Sequence, residues 1–77
     1  MTRVQLLVEI KEMLQTDAVL TEDMLLRDVE GWDSLASISI VALYDRLFGM
    51  LLSNQQVSSC RTLGDLLKLA GENVNGR

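Results

Sequence analysis

The sequence predicts an all-α fold. Three observations lead there. No proline occurs in 77 residues, β-branched residues do not cluster in alternating runs, and apolar residues recur at helical spacing behind three N-capping patterns. The order read along the chain is long helix, long loop, long helix, short helix, helix, with no repeat and no low-complexity stretch.

Thr2-x-x-Gln5 is a capping box, in which each side chain satisfies a free amide of the first turn. Behind it Val4, Leu7, Ile10 and Leu14 repeat at helical spacing, relieved by Glu9, Lys11 and Glu12, so residues 3–15 read as the first helix. The connection over 16–32 exceeds an ordinary helix-to-helix link, and loops of that length carry function or their own packing residues. Val19, Leu20, Met24, Leu25, Leu26 and Val29 are its apolar anchors, with one helical turn expected at Thr21–Met24.

Gly31-Trp32 closes the loop. Asp33 is a good N-cap, which makes Ser34 the first helical residue of a second helix running to about Met50, with Gly49 as a stop signal. This helix has two apolar faces. Ile40, Leu43 and Leu47 with Tyr44 and Phe48 form one, and Leu35, Ile38 and Ala42 form the other. A surface helix needs one apolar face, so the second is packed as well or meets a partner. Ser53-x-x-Gln56 opens a short helix to about Ser59. Thr62-x-x-Asp65 opens the last, where Leu63, Leu66, Leu67 and Ala70 share a face and Gly71 follows the C-cap. The tail 72–77 is expected to fray.

A chain of this size supports one domain, over 1–77, with a folded core of about 3–70. Hydrophobic residues at 48% and charged residues at 23% are the mix of a folded soluble domain. The net charge is −4, distributed as −5 over residues 1–33 and +1 over 34–77. That balance argues against nucleic acid and against stable attachment to anionic membrane, since both need a basic face, and it favours partners with a basic surface. The N-terminal stretch, broken by Glu9, Lys11 and Glu12, reads as neither signal peptide nor membrane span, so the expected location is the cytoplasm. One cysteine makes no internal disulfide, and the absence of histidine removes His-based triads and His metal sites.

Chemistry is therefore confined to few places, and Ser34 is the foremost. It follows an acid, begins a helix and comes directly after a glycine-containing loop. A helix N-terminus leaves free amides and a partial positive charge that favour a phosphate ester on that hydroxyl. A serine at a helix start is also a common polar first-turn residue, and this reading stands beside the other. A reactive serine with no nearby base cannot turn over by itself.

Gly31-Trp32-Asp33-Ser34-Leu35, set between a long acidic loop and an apolar helix, resembles the Gly-x-Asp-Ser-Leu attachment motif of the acyl carrier protein family. The likeness extends over residues 3–70. Phe48 lies where the family keeps an aromatic at the end of helix II, and Thr62-Leu63 is similar to the start of its last helix. The resemblance implies a four-helix bundle with a short third helix. It implies that Ser34 is an attachment point for 4'-phosphopantetheine, transferred from coenzyme A by a separate phosphopantetheinyl transferase, with Asp33 supporting the modification. It implies a non-catalytic, monomeric carrier whose arm holds acyl groups as thioesters for the enzymes of a fatty acid, polyketide or related lipid pathway.

The carrier reading makes Leu35, Ile38, Ser39 and Ala42 a docking strip. Here the sequence departs from the family, whose helix II usually carries several acids. Ala36, Ser37 and Ser39 stand in such positions, and Asp45 next to Arg46 leaves residues 34–50 with no net charge. Asp28 and Glu30 in the preceding loop, with Asp33, are then expected to supply the electrostatic steering, and the partners are expected to be dedicated enzymes. Two alternatives stay open. One is a carrier of aminoacyl or peptidyl units on the same serine. The other, of a different class, is a cofactor-free acidic helical interaction module. Trp32 and Cys60 are read as packing residues, Met13, Met24 and Met50 as core filler, and Tyr44 as core.

Overall fold

The computed structural model describes residues 1–74. Four α-helices, α1 (Arg3–Leu14), α2 (Ser34–Phe48), α3 (Asn54–Ser58) and α4 (Leu63–Leu69), are joined by loops that include 3-10 turns at Leu26–Asp28 and Gly71–Asn73. An isolated antiparallel bridge joins Leu25 with Thr62. The order matches the sequence reading, and each helix starts where a cap was expected. Thr2, Ser53 and Thr62 all form complete capping boxes, with Gln5, Gln56 and Asp65 answering. Gly49, at φ +62°, ends α2 in the left-handed conformation that glycine adopts without strain. Gln15 does the same for α1 without being glycine, so α1 ends at Leu14.

The core is built from Leu6 and Ile10 of α1, Ile40, Leu43 and Tyr44 of α2, Val57 of α3, and Leu63, Leu66 and Leu67 of α4. Each such side chain stabilises by roughly 1.5–3 kcal/mol on burial. Tyr44 is fully buried, and its hydroxyl donates to the Leu66 carbonyl at 2.5 Å, which joins α2 to α4 through a satisfied polar group. Phe48 meets the Tyr44 ring edge-on, with centroids 5.4 Å apart.

Three expectations need correction. Val4 was placed on the inward stripe of α1, but it is 62% exposed, and the stripe centres on Leu6 and Ile10, with Leu7, Met13 and Leu14 half-buried around it. Val19 is 79% exposed, whereas Leu20, Leu26 and Val29 are the loop residues that enter the core. Thr21–Met24 is a hydrogen-bonded turn, closed by Met24 N–H to the Thr21 carbonyl at 3.2 Å, and the helical turn lies further on at Leu26–Asp28. Where the tail was expected to begin, Gly71–Asn73 forms a 3-10 turn and Val74 packs against the core. The rest of the expected frayed tail, 75–77, lies outside the described residues.

The long loop is fixed at its middle. Leu26 N–H donates to the Arg61 carbonyl at 2.8 Å, Leu63 N–H to Met24 at 3.0 Å, and Gly64 N–H to Glu22 at 2.8 Å. Gly64 lets the two segments approach closely, since a Cβ there would sit a tight 3.0 Å from the Glu22 carbonyl oxygen. The Glu22 side chain is bound in turn by the Arg3 guanidinium through two nitrogens. That bond lowers the Glu22 carboxyl below its ordinary range.

Candidate functional site

The approach to Ser34 is determined residue by residue. Gly31 has φ +86° and passes over the end of α1, where a Cβ would lie 3.4 Å from the Leu14 carbonyl oxygen. Trp32 N–H donates to the Val29 carbonyl at 3.1 Å, and its ring packs partly buried against the core. Asp33 is extended, and its carboxylate accepts from Ala36 N–H at 2.9 Å, while its carbonyl accepts from Ser37 N–H at 3.1 Å. The cap expected of Asp33 is therefore present.

Ser34 is the first residue of α2 and is exposed. Among the described residues no hydrogen bond engages its hydroxyl. The first-turn amides of Ser34 and Leu35 have no intrahelical acceptor, and the helix dipole adds partial positive charge at that end. The arrangement suits an ester to an anionic group on the serine oxygen. The chain has no histidine, and the nearest acid in sequence, Asp33, accepts the Ala36 backbone N–H through Oδ1. Among the described residues no group of three or more Cys, Asp or Glu side chains is placed to hold a metal ion.

Of the two outcomes the sequence left for the second apolar face of α2, packed or open, the structure shows it open. Leu35 is 69% and Ile38 57% exposed, and Ala42 is exposed one turn further along. Ser39 is half-buried and its hydroxyl donates to the Leu35 carbonyl at 2.9 Å, so it is spent within the helix. Beside this strip, between α1 and α2, runs a groove of about 460 Å³ lined by Glu9, Glu12, Met13, Ser39, Ala42, Leu43 and Arg46. A smaller cleft of about 180 Å³ continues it to Asp33 and Gly31. Asp45, Asp28 and Glu30 are exposed, the last two on the loop that leads into α2.

Arg46 was missed as a strip residue. It stands four residues after Ala42, and the i, i+4 rule that grouped Ile38 with Ala42 extends to it. Trp32 and Cys60 both pack as expected, and Cys60 is half-buried with its thiol donating to the Gln56 carbonyl at 3.4 Å. Burial, and then the Asp65 charge, push that thiol up, which makes it a poor nucleophile at neutral pH. Burial likewise pushes the Tyr44 phenol up. Among the described residues no helix is long and apolar enough to cross a membrane. No family model matches the chain, and no curated protein or solved structure does either.

Proposed function

We propose that this protein is an acyl carrier: a four-helix bundle with a short third helix, on which Ser34 bears a 4'-phosphopantetheine arm. The carrying observation is an exposed serine hydroxyl at the first position of a capped 15-residue helix, directly followed by an exposed apolar strip. The residues present fit the group. The hydroxyl is accessible, the end of α2 favours its phosphate, and the Asp33 side chain is committed to the helix backbone and leaves the serine free. When bound, the arm supplies a thiol that holds acyl groups as thioesters.

The chain's own residues position and recruit. Asp33 keeps the helix start in register, so that the serine oxygen is presented at a constant place. Leu35, Ile38 and Ala42 form a small apolar contact, consistent with partners that bind briefly and release. The acids Asp28 and Glu30 steer basic partners toward it. Those partners are a phosphopantetheinyl transferase, for which this protein is a substrate, and loading and processing enzymes dedicated to it. The protein itself catalyses no step and works as a monomer in the cytoplasm. The near-neutral helix, with Arg46 on its strip, favours dedicated enzymes over those that recognise an acidic helix II.

The test is intact mass after incubation with coenzyme A and a broad-specificity phosphopantetheinyl transferase. One arm is expected to add to the wild type and none to Ser34→Ala. Addition to Ser34→Ala moves the site elsewhere. No addition to the wild type leaves a cofactor-free helical interaction module.

A further inference from the structure

A second feature lies away from the strip on α2. A cleft of about 480 Å³ opens between the loop and the α3–α4 connection, lined by Leu25, Leu26, Arg27, Trp32, Cys60 and Arg61. Its two walls are held by backbone bonds. The Leu25–Thr62 bridge and the 2.8 Å bond from Leu26 N–H to the Arg61 carbonyl set them side by side, so the cleft exists before anything enters it.

The charge of the lining is opposite to that of the molecule. The chain carries −4, yet two arginines and no Asp or Glu are among the residues that line this cleft. Among the described residues the sole ion pair joins Arg3 to Glu22, so neither Arg27 nor Arg61 is neutralised by a partner. Asp65 lies nearby, its carboxylate accepting from the backbone N–H groups of Arg61 and Thr62 at 3.0 and 3.2 Å, and it sets one negative charge against the two arginines. The Cys60 thiol, pushed up by burial, adds no negative charge at neutral pH. The remaining lining, two leucines and an indole, is apolar.

From these groups we infer that the cleft binds a carboxylate borne on an apolar chain, the arginines taking the anion and Leu25, Leu26 and Trp32 taking the chain. Arginine suits this task because its planar fork matches a carboxylate. The ligand has two possible sources of the same chemistry: a free aliphatic acid, or the far end of an acyl group that itself ends in a carboxylate. Only the second rests on the carrier reading.

Trp32 is the sole tryptophan, so its fluorescence reports on this cleft. Unmodified protein is titrated with octanoate, octanol and octylammonium, below the concentrations at which they self-associate. Octanoate is expected to give a saturable change, with octanol about five-fold weaker, the factor an exposed ion pair supplies, and octylammonium weaker still. Arg27→Gln and Arg61→Gln are each expected to weaken octanoate and leave octanol unchanged. Equal binding of all three probes, indifference to both arginine substitutions, or no saturable change overturns the inference. This arm needs no group on Ser34, and so it stands or falls apart from the mass test. A second titration uses protein loaded with an acyl group ending in a carboxylate. Lost octanoate binding identifies the tethered acid as occupant, and retained binding identifies the free acid; either result supports the site.

Discussion

Two helix starts in this small protein are built from the same local chemistry and end in opposite environments. At α4, Thr62 caps the helix, and the next two residues, Leu63 and Gly64, are buried beneath the loop and bonded to it. At α2, Asp33 caps the helix, and the next two residues, Ser34 and Leu35, face outward. Capping determines where a helix begins. What covers the first turn decides whether those residues hold the fold together or are offered to other molecules. The loop from 16 to 32 makes the difference: its middle lies across α4, and its end delivers α2 uncovered.

The largest expected separation between the two starts is in the residue after the first contact. Leu63→Ala removes a fully buried side chain and is expected to cost about 2–5 kcal/mol. Leu35→Ala removes an exposed one and is expected to stay within about 0.5 kcal/mol. Urea denaturation of both variants measures this, and equal losses would erase the distinction.

The caps themselves sharpen the comparison by a smaller effect. Asp33→Ala and Thr62→Ala each remove one side-chain bond to a first-turn amide, and each is expected to lower stability by about 0.5–2 kcal/mol. Thermal melts followed by circular dichroism give the values. Similar losses at both sites show that the caps are alike and that burial alone separates the two starts. An unchanged melt for Asp33→Ala would remove Asp33 from the account of how Ser34 is held.

The smallest effect is in the pH dependence. Asp65 accepts from the backbone N–H groups of Arg61 and Thr62, and these bonds hold its carboxyl below the ordinary range. A carboxyl depressed in the folded state contributes its stability above the unfolded value, near 3.9, and loses it as pH falls through the folded value. Asp65→Asn is therefore expected to flatten the acid limb of the stability curve below about pH 4. Stability measured from pH 2 to 6 reads this out, and an unchanged acid limb would assign the acid sensitivity to other groups.

How much of this was legible beforehand follows from how local each signal is. The caps at Thr2, Asp33, Ser53 and Thr62 were readable because a cap is a relation between residues three apart. The two faces of α2 were readable because an exposed apolar face and a buried one both obey the helical period. The inward face of α1 was read wrongly. Val4, Leu7, Ile10 and Leu14 and the true Leu6–Ile10 stripe differ by a rotation of the helix, and α1 is apolar on several sides, so its period does not select one. The close approach at Gly64, and the placing of Arg27 and Arg61 on one cleft, had no local signal. Both follow from the bridge between Leu25 and Thr62, a pairing of residues far apart in the chain. Ser34 was legible as an outward-facing helix start, because the cap that places it lies next to it in the chain.

The bonds from Leu26, Leu63 and Gly64 across to the opposite segment have a kinetic consequence. They join parts of the chain that cannot meet until nearly all of it has been gathered in, so the loop gains its order only as α4 arrives. Loop and last helix then come apart as they came together, as one cooperative unit. The amides of residues 26, 63 and 64 are accordingly expected to exchange with solvent at a common slow rate, and those of Ser34 and Leu35 faster, which hydrogen exchange read by NMR measures.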